Sequence, residues 1–264
     1  MSGMLRRWRR SRQAERRGVE GYRAYGIGDV HGRLDLLVEL LDRIREDHAA
    51  RGDTAELLLV FLGDLIDRGP DSSGVVELVR TGPIPGARTV ALAGNHEEVL
   101  LRLLGGERGL LAQWLSFGGD ACLASYGADP RLFEGLPESE GLAELQRLIP
   151  PEHRDFLASL ADTFRFGDYL FVHAGLRPGT ALHNQSPRDL RWIRQPFLDD
   201  PRDHGMTVVH GHTITEEVDI RTHRIGIDTG AYRSGVLTAL AIEGDQHWLI
   251  QQRASSEQGG KEVR

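Results

Sequence analysis

Cysteine is almost missing from this sequence. Cys122 is the single one in 264 residues, so no disulfide can close within the chain, and a reducing compartment, the cytoplasm, is expected. Long apolar runs are missing too: the longest uninterrupted stretches, such as Leu57 to Leu62, fall far short of the ~20 residues a spanning helix needs. No membrane insertion is therefore expected. The chain starts without the apolar core of a secretory signal, and no internal repeat is visible. A basic face on the body is lacking as well. Residues 1–17 hold seven Arg against Glu15, so the formal net charge of −7 hides a basic end on a more acidic remainder. Nucleic-acid binders usually carry their positive charge on the folded domain, and no nucleic-acid partner is expected here.

What is present is enough apolar residue, 40% of the chain, to bury a sizeable core, and one domain is favoured. Residues 1–20 read as a basic flexible tail, 21–253 as the folded domain and 254–264, "ASSEQGGKEVR", as a polar tail. Strand character recurs at Ala24 to Ile27, Leu57 to Leu62, Thr89 to Leu92, Tyr169 to His173, Thr207 to His210, Arg224 to Asp228 and Leu237 to Ile242. Between the first two, Leu36, Leu37, Leu40, Leu41 and Ile44 fall on one helical face. "DSSGVVELVR" offers Asp71 or Ser72 as the cap of a second helix, and "FRFGDYLF" reads as a hairpin with a Gly-Asp turn. Short helices punctuated by glycine and proline pairs fill 98–165, an insert expected to form the rim of a site. Strands that first alternate with helices and then run almost unbroken predict an α/β fold with one mixed sheet or two.

The ends of these strands share a chemistry. Ile27 leads into "GDVHG", Leu62 into "GDLIDRG", Leu92 into "AGNHEE", Val172 into "HAGLRPG" and Val209 into "HGHT". Asp29, His31, Asp64, Asp67, Arg68, Asn95, His96, His173 and His212 thus lie where the loops of open α/β sheets assemble their sites. Any one of these turns alone reads as a capped loop or a hydrogen-bonded histidine. Five in one chain point to a shared crevice. Carboxylate, amide oxygen and imidazole together suit borderline divalent ions, and six such ligands with one shared carboxylate satisfy a pair of ions ~3.5–4 Å apart.

The motif set resembles the calcineurin-like metallophosphoesterases, and within them the phosphoprotein phosphatase family, including bacterial serine/threonine phosphatases and symmetrical diadenosine tetraphosphatases. The resemblance covers about residues 24 to 242. It implies two mixed β-sheets packed as a sandwich flanked by helices, with a dinuclear centre above them. By matching position, Asp29 and His31 would bind the first metal, Asp64 would bridge, and Asn95, His173 and His212 would bind the second. Mn²⁺ is the expected ion, with Fe²⁺/Fe³⁺ or Zn²⁺ as alternatives. Many relatives carry GHxH, but Ile214 takes the last place here, which points to the phosphatase branch.

The implied reaction is hydrolysis of a phosphomonoester by a hydroxide shared between the metals, with a phosphorylated protein or a nucleotide as substrate. His96 would be the general acid, Asp67 its carboxylate partner and Arg68 a phosphate clamp. "DLRWIRQPF" resembles the family's Trp-x-Arg stretch and makes Arg194 the second clamp, with Arg191 and Arg177 as rivals. Ala93 stands where many protein phosphatases place an arginine. Serine/threonine protein phosphatase activity leads, symmetrical dinucleoside tetraphosphate hydrolysis is the alternative, and a non-catalytic platform is a remote third. His210 is assigned to packing beside the site. His48, His153, His183, His204, His223 and His247 are expected on the surface.

Overall fold

The computed structural model describes residues 16–254 except 53 and 134. Two five-stranded mixed sheets face each other. β1 (Tyr22–Ile27), β2 (Glu56–Phe61) and β3 (Arg88–Ala91) run parallel, joined by helices α1 (Leu34–Ala50) and α2 (Ser72–Thr81). The second sheet starts with β4 (Thr163–Phe166) and continues through β5 (Tyr169–Val172), β6 (Thr207–His210), β7 (Asp219–Ile220) and β8 (Arg224–Gly226), in the spatial order β4-β5-β6-β8-β7. The chain then returns to the first sheet as β9 (Val236–Glu243) and β10 (Gln246–Arg253), completing the order β10-β9-β1-β2-β3.

Strand alternation explains the layers. In β1 and β2, Ala24, Leu58 and Val60 join Phe166, Phe171, Val209 and Ile225 between the sheets. Tyr25, Ile27, Leu59 and Phe61 point the other way, into the helix layer. Both faces are covered, so these strands read as continuous apolar runs rather than alternating ones. The five apolar positions expected on one face of α1 are all buried there. Asp71, not Ser72, caps α2 by accepting a hydrogen bond from Gly74 N at 2.8 Å. The Gly167-Asp168 turn joins β4 to β5 as expected. The outer face of the second sheet, with Leu170, Val172 and Val208, is covered by Leu190 and Phe197.

Three expectations need correction. Residues 16–20, read as part of a flexible tail, lie against the body: Arg16 pairs with Asp203 at 2.6 Å, and Gly18 N donates to Gly244 O. The part of that tail at 1–15, and the C-terminal one from 255, lie outside the described residues. β10 was not anticipated, because an edge strand spelled QHWLIQQR is half polar; it pairs with β9 over its whole length. His153 and His223 are buried rather than superficial, His153 held between the Tyr126 hydroxyl at 2.8 Å and Glu77 at 3.1 Å. No helix among the described residues is long and apolar enough to cross a membrane.

Gly26 shows how closely the sheets approach. A Cβ there would meet the Phe171 ring at 2.6 Å. Gly26→Ala should therefore cost about 1–3 kcal/mol by overpacking, and Phe171→Leu in the same chain should recover part of it. Chemical denaturation checks both. An alanine variant as stable as its parent would mean that the sheets are not packed through this ring.

Candidate metal centre

The carboxyl ends of β1, β2, β5 and β6, with the start of α3 (Asn95–Leu104) after β3, converge on the Asp64 carboxylate. Its Oδ2 lies 3.5 Å from His31 Nε2, 3.5 Å from His173 Nε2 and 4.0 Å from His96 Nε2, and its Oδ1 accepts His96 N at 3.1 Å. Two donor groups share it: His31 with His96 on one side, His173 with His212 on the other. Asn95 joins the second, its Oδ1 3.0 Å from His173 Nε2. Asp29 enters from β1, where its Oδ2 accepts His212 N at 3.0 Å and its Oδ1 has no partner. The six residues expected to gather do gather, every one of them buried.

The backbone bends hard to achieve this. Five non-glycine residues are left-handed among those described, namely His31, Asp64, Asp67, Arg68 and His212, with φ between 45° and 71°. All five belong to this site. Such conformations carry a cost and persist where the surroundings enforce them. Gly94 shows the crowding, since a Cβ there would lie 2.1 Å from Asp64 Oδ1.

Several features fit divalent ions. The Leu62 carbonyl can only accept, so His173 Nδ1, 2.8 Å away, must donate to it, which leaves Nε2 with a bare lone pair. That lone pair faces Asn95 Oδ1 and Asp64 Oδ2. Ile66 O fixes His31 in the same tautomer at 2.7 Å, and His212 Nε2 is buried without a partner. Nitrogen and oxygen lone pairs aimed at one another call for a cation between them. Burial also lowers the imidazoles, His31 to about 3 and His212 to about 2, so they stay neutral, the form that ligates. Burial alone would raise Asp64, but the surrounding histidines outweigh it and hold the carboxyl far below the usual range. Burial, then Asp228 and Asp64, drives Asp29 well up, and burial pushes Asp228 to about 6. Three buried carboxyls in one pocket are a charge excess that divalent ions would neutralise.

Beside this centre, His96 Nδ1 donates to Asp67 Oδ2 at 2.6 Å. Burial opposes a charge on His96, yet Asp64 and Asp67 overcome it and raise the imidazole above its ordinary value. Arg68 reaches in with Nη1 2.8 Å from His31 Nε2, its guanidinium 4.8 Å from the centroid of the Tyr232 ring. Arg194 donates to His212 O at 3.3 Å and lines a groove of about 360 Å³ together with Arg68, Asn95, His96 and His212. Its rivals are engaged elsewhere: Arg191 pairs with Asp162 and Glu98, and Arg177 with Asp189. His210 packs edge-on to Phe197, away from the centre, whereas the left-handed turn at His212 brings that ring inward.

Sequence reasoning missed three supporting residues. Glu97 is fully buried and accepts from Asp64 N, Leu65 N and Gly94 N, so it props the loop that carries Asp64. Its signal was available, because a Glu at the third helical position commonly reaches back to the cap. Asp228, a buried carboxyl electrostatically linked to Asp29, follows β8 as the other acids follow their strands. Trp114, whose Nε1 donates to Asp67 Oδ2 at 3.0 Å, carried no such signal.

A family model described as "Calcineurin-like phosphoesterase" matches residues 22–234. Serine/threonine-protein phosphatase 1 of Salmonella typhimurium is 40% identical over 226 residues, which cover 82% of this chain and 90% of that protein. The asymmetrical bis(5'-nucleosyl)-tetraphosphatase PrpE of Bacillus cereus is 26% identical over 232 residues, 81% of this chain and 88% of that one. Among solved structures, a putative diadenosine tetraphosphatase shares the fold with a TM-score of 0.62 at 23% identity, covering 89% of this chain and 96% of that one.

Asp64→Asn should strip most of the divalent metal that the parent binds, because it removes the charge common to both donor groups. Metal analysis after gel filtration reads this directly, and equal occupancy in the two proteins would refute the sharing.

Proposed function

The chain belongs to the calcineurin-like phosphoesterase family, and from that premise we propose that it is a divalent-metal-dependent phosphomonoesterase of the serine/threonine protein phosphatase kind. One observation carries the reading: His96, hydrogen-bonded to Asp67, lies at the edge of buried histidines and carboxylates gathered around the single Asp64 carboxylate. The 40% identity to a protein of that name supports the substrate class.

In this reading Asp29, His31 and Asp64 hold one ion and Asp64, Asn95, His173 and His212 the other, with Mn²⁺ the expected metal. Bound there, the ions supply Lewis-acid charge and lower the pKa of water. The remaining work falls to the chain's own groups. Arg68 and Arg194 grip the phosphate oxygens from the two sides of the groove and fix the phosphorus for in-line attack. His96 delivers its proton to the departing alkoxide oxygen, and Asp67 keeps the ring charged and turned toward it. Residues 21–253 form the catalytic unit and helices within 98–165 its rim. The buried, unpaired Cys122 agrees with a reducing cytoplasm.

Hydrolysis of a dinucleoside polyphosphate is the second reading, favoured by relatives bearing that name. The curated tetraphosphatase relatives above are named asymmetrical, not symmetrical. A metal-loaded assay with phosphoserine peptide, phosphotyrosine peptide and diadenosine tetraphosphate side by side should show the highest kcat/KM on phosphoserine; preference for the dinucleotide would reverse the order of the two readings.

His96→Asn should leave metal content near normal and cut turnover of an alkyl phosphate by ~10²–10⁴. An activated aryl phosphate should suffer less, since its leaving group needs no proton. Equal losses on both would remove His96 from the acid role. The raised pKa sets the sign of the pH effect: the imidazolium persists below that value, so alkyl phosphate turnover should fall as pH rises through it.

A further inference from the structure

The chain between α3 and the second sheet sends one turn back onto the phosphate-handling loop. Helix α4 (Leu111–Trp114) runs into a kinked turn, Leu115–Gly119, where Phe117 and Gly118 leave helical geometry, and then into α5 (Asp120–Ser125). Here the turn makes two polar contacts with one loop. Trp114, 2% exposed, gives its indole N–H to Asp67 Oδ2 at 3.0 Å, the same oxygen that receives His96 Nδ1–H. Gly118 O accepts Arg68 N at 2.9 Å. Gly118 has a φ of 106°, and a Cβ on it would press within 2.6 Å of Arg68 N, so glycine is needed for the approach. Gly119 lets the Trp114 ring lie against the backbone, since a Cβ there would sit 2.3 Å from it. Phe117, between these contacts, is 57% exposed and lines the groove in company with Trp192.

Resting on the phosphomonoesterase reading above, we propose that this turn is a positioning device with a substrate-reading tip. Trp114 orients the Asp67 carboxylate for His96, Gly118 seats the Arg68 backbone, and Phe117 meets the part of the substrate beyond the phosphate. Two facts decide the chemistry that Phe117 and Trp192 recognise. Both present apolar ring surface, and the further groove cation Arg102 is already paired with Glu107 and Glu98. A peptide with an apolar or aromatic side chain next to its phosphorylated residue fits this wall better than a chain of further phosphates.

The two parts separate in kinetics. Trp114→Phe keeps a ring on Gly119 but removes the N–H. It should lower kcat for phosphoserine peptide about ten- to hundredfold, the worth of one hydrogen bond to a charged group, with little change in KM and a smaller loss on an aryl phosphate. Phe117→Ala should instead raise KM for a peptide with a flanking aromatic about tenfold, with a smaller change in kcat. If Trp114→Phe unfolds the protein, benzothienylalanine at 114 keeps the bicycle and lacks only the N–H. Proton NMR supplies a readout apart from turnover: the low-field His96 Nδ1–H resonance should move when that donor is lost. Absence of phosphatase activity in the wild type would overturn the enzymatic reading, while the resonance still decides the positioning role. An unmoved resonance, an equal kcat loss for both leaving groups, or an effect of Phe117→Ala on kcat alone would overturn the proposal.

Discussion

Everything at the top of this sandwich is arranged around one buried negative charge. The Asp64 carboxylate is 2% exposed and draws in imidazoles from three other segments of the chain. An isolated charge at that depth would be expelled or neutralised by protonation. It survives because of what surrounds it, and the surroundings in turn are fixed by it: His96 N binds its Oδ1, while Glu97 on the same helix binds the Asp64 backbone N–H. Strand β2 and helix α3 are thereby locked in register at the point where two donor groups must share an atom. Such a knot of like-charged carboxyls and bare nitrogen lone pairs makes physical sense as a holder for cations, and poor sense as a stabilising core.

The backbone records the same conflict. Left-handed φ angles at His31, Asp64, Asp67, Arg68 and His212 place strain on residues of the functional loops, while the strands beneath them are regular and doubly covered. Strain of this kind needs a stiff foundation. The first sheet supplies it through a helix layer on one face and a second sheet on the other, packed closely enough that Gly26 has room for no side chain against Phe171. A softer scaffold would let these turns relax to ordinary geometry, and the donors would spread. The inter-sheet core therefore acts on function indirectly, through the angles it sustains.

That division also explains which parts were legible beforehand. The apolar face of α1 follows from periodicity, and the central strands follow from short unbroken apolar runs, because burial on one face or on both dictates residue type at each position. The gathered donors were legible for a different reason: each sits at a strand end, where chain direction alone sends it to one edge of the sheets. β10 escaped because its outer face is solvated and its polar residues mimic a loop. His153 and His223 escaped because a histidine's burial depends on partners from distant segments, Tyr126 and Glu77 for the first. Trp114 is the same case at the site itself. Its indole meets Asp67 across 47 positions of sequence, a contact that no local pattern announces.

The gathered donor groups and the groove wall thus come from different kinds of structure. The donors stand at the ends of shared sheet strands or at the first turn of α3, and shifting any of them disturbs the register of Asp64. The apolar part of the groove wall comes from the helical segment and from Trp192, neither of which contributes a donor. Sequence change can therefore reshape the groove while the chemistry beneath it stays put, provided that the few residues spanning both, Trp114 and Gly118, keep their contacts with Asp67 and Arg68. The likeness of this chain to proteins named for different phosphate substrates is what such a separation produces.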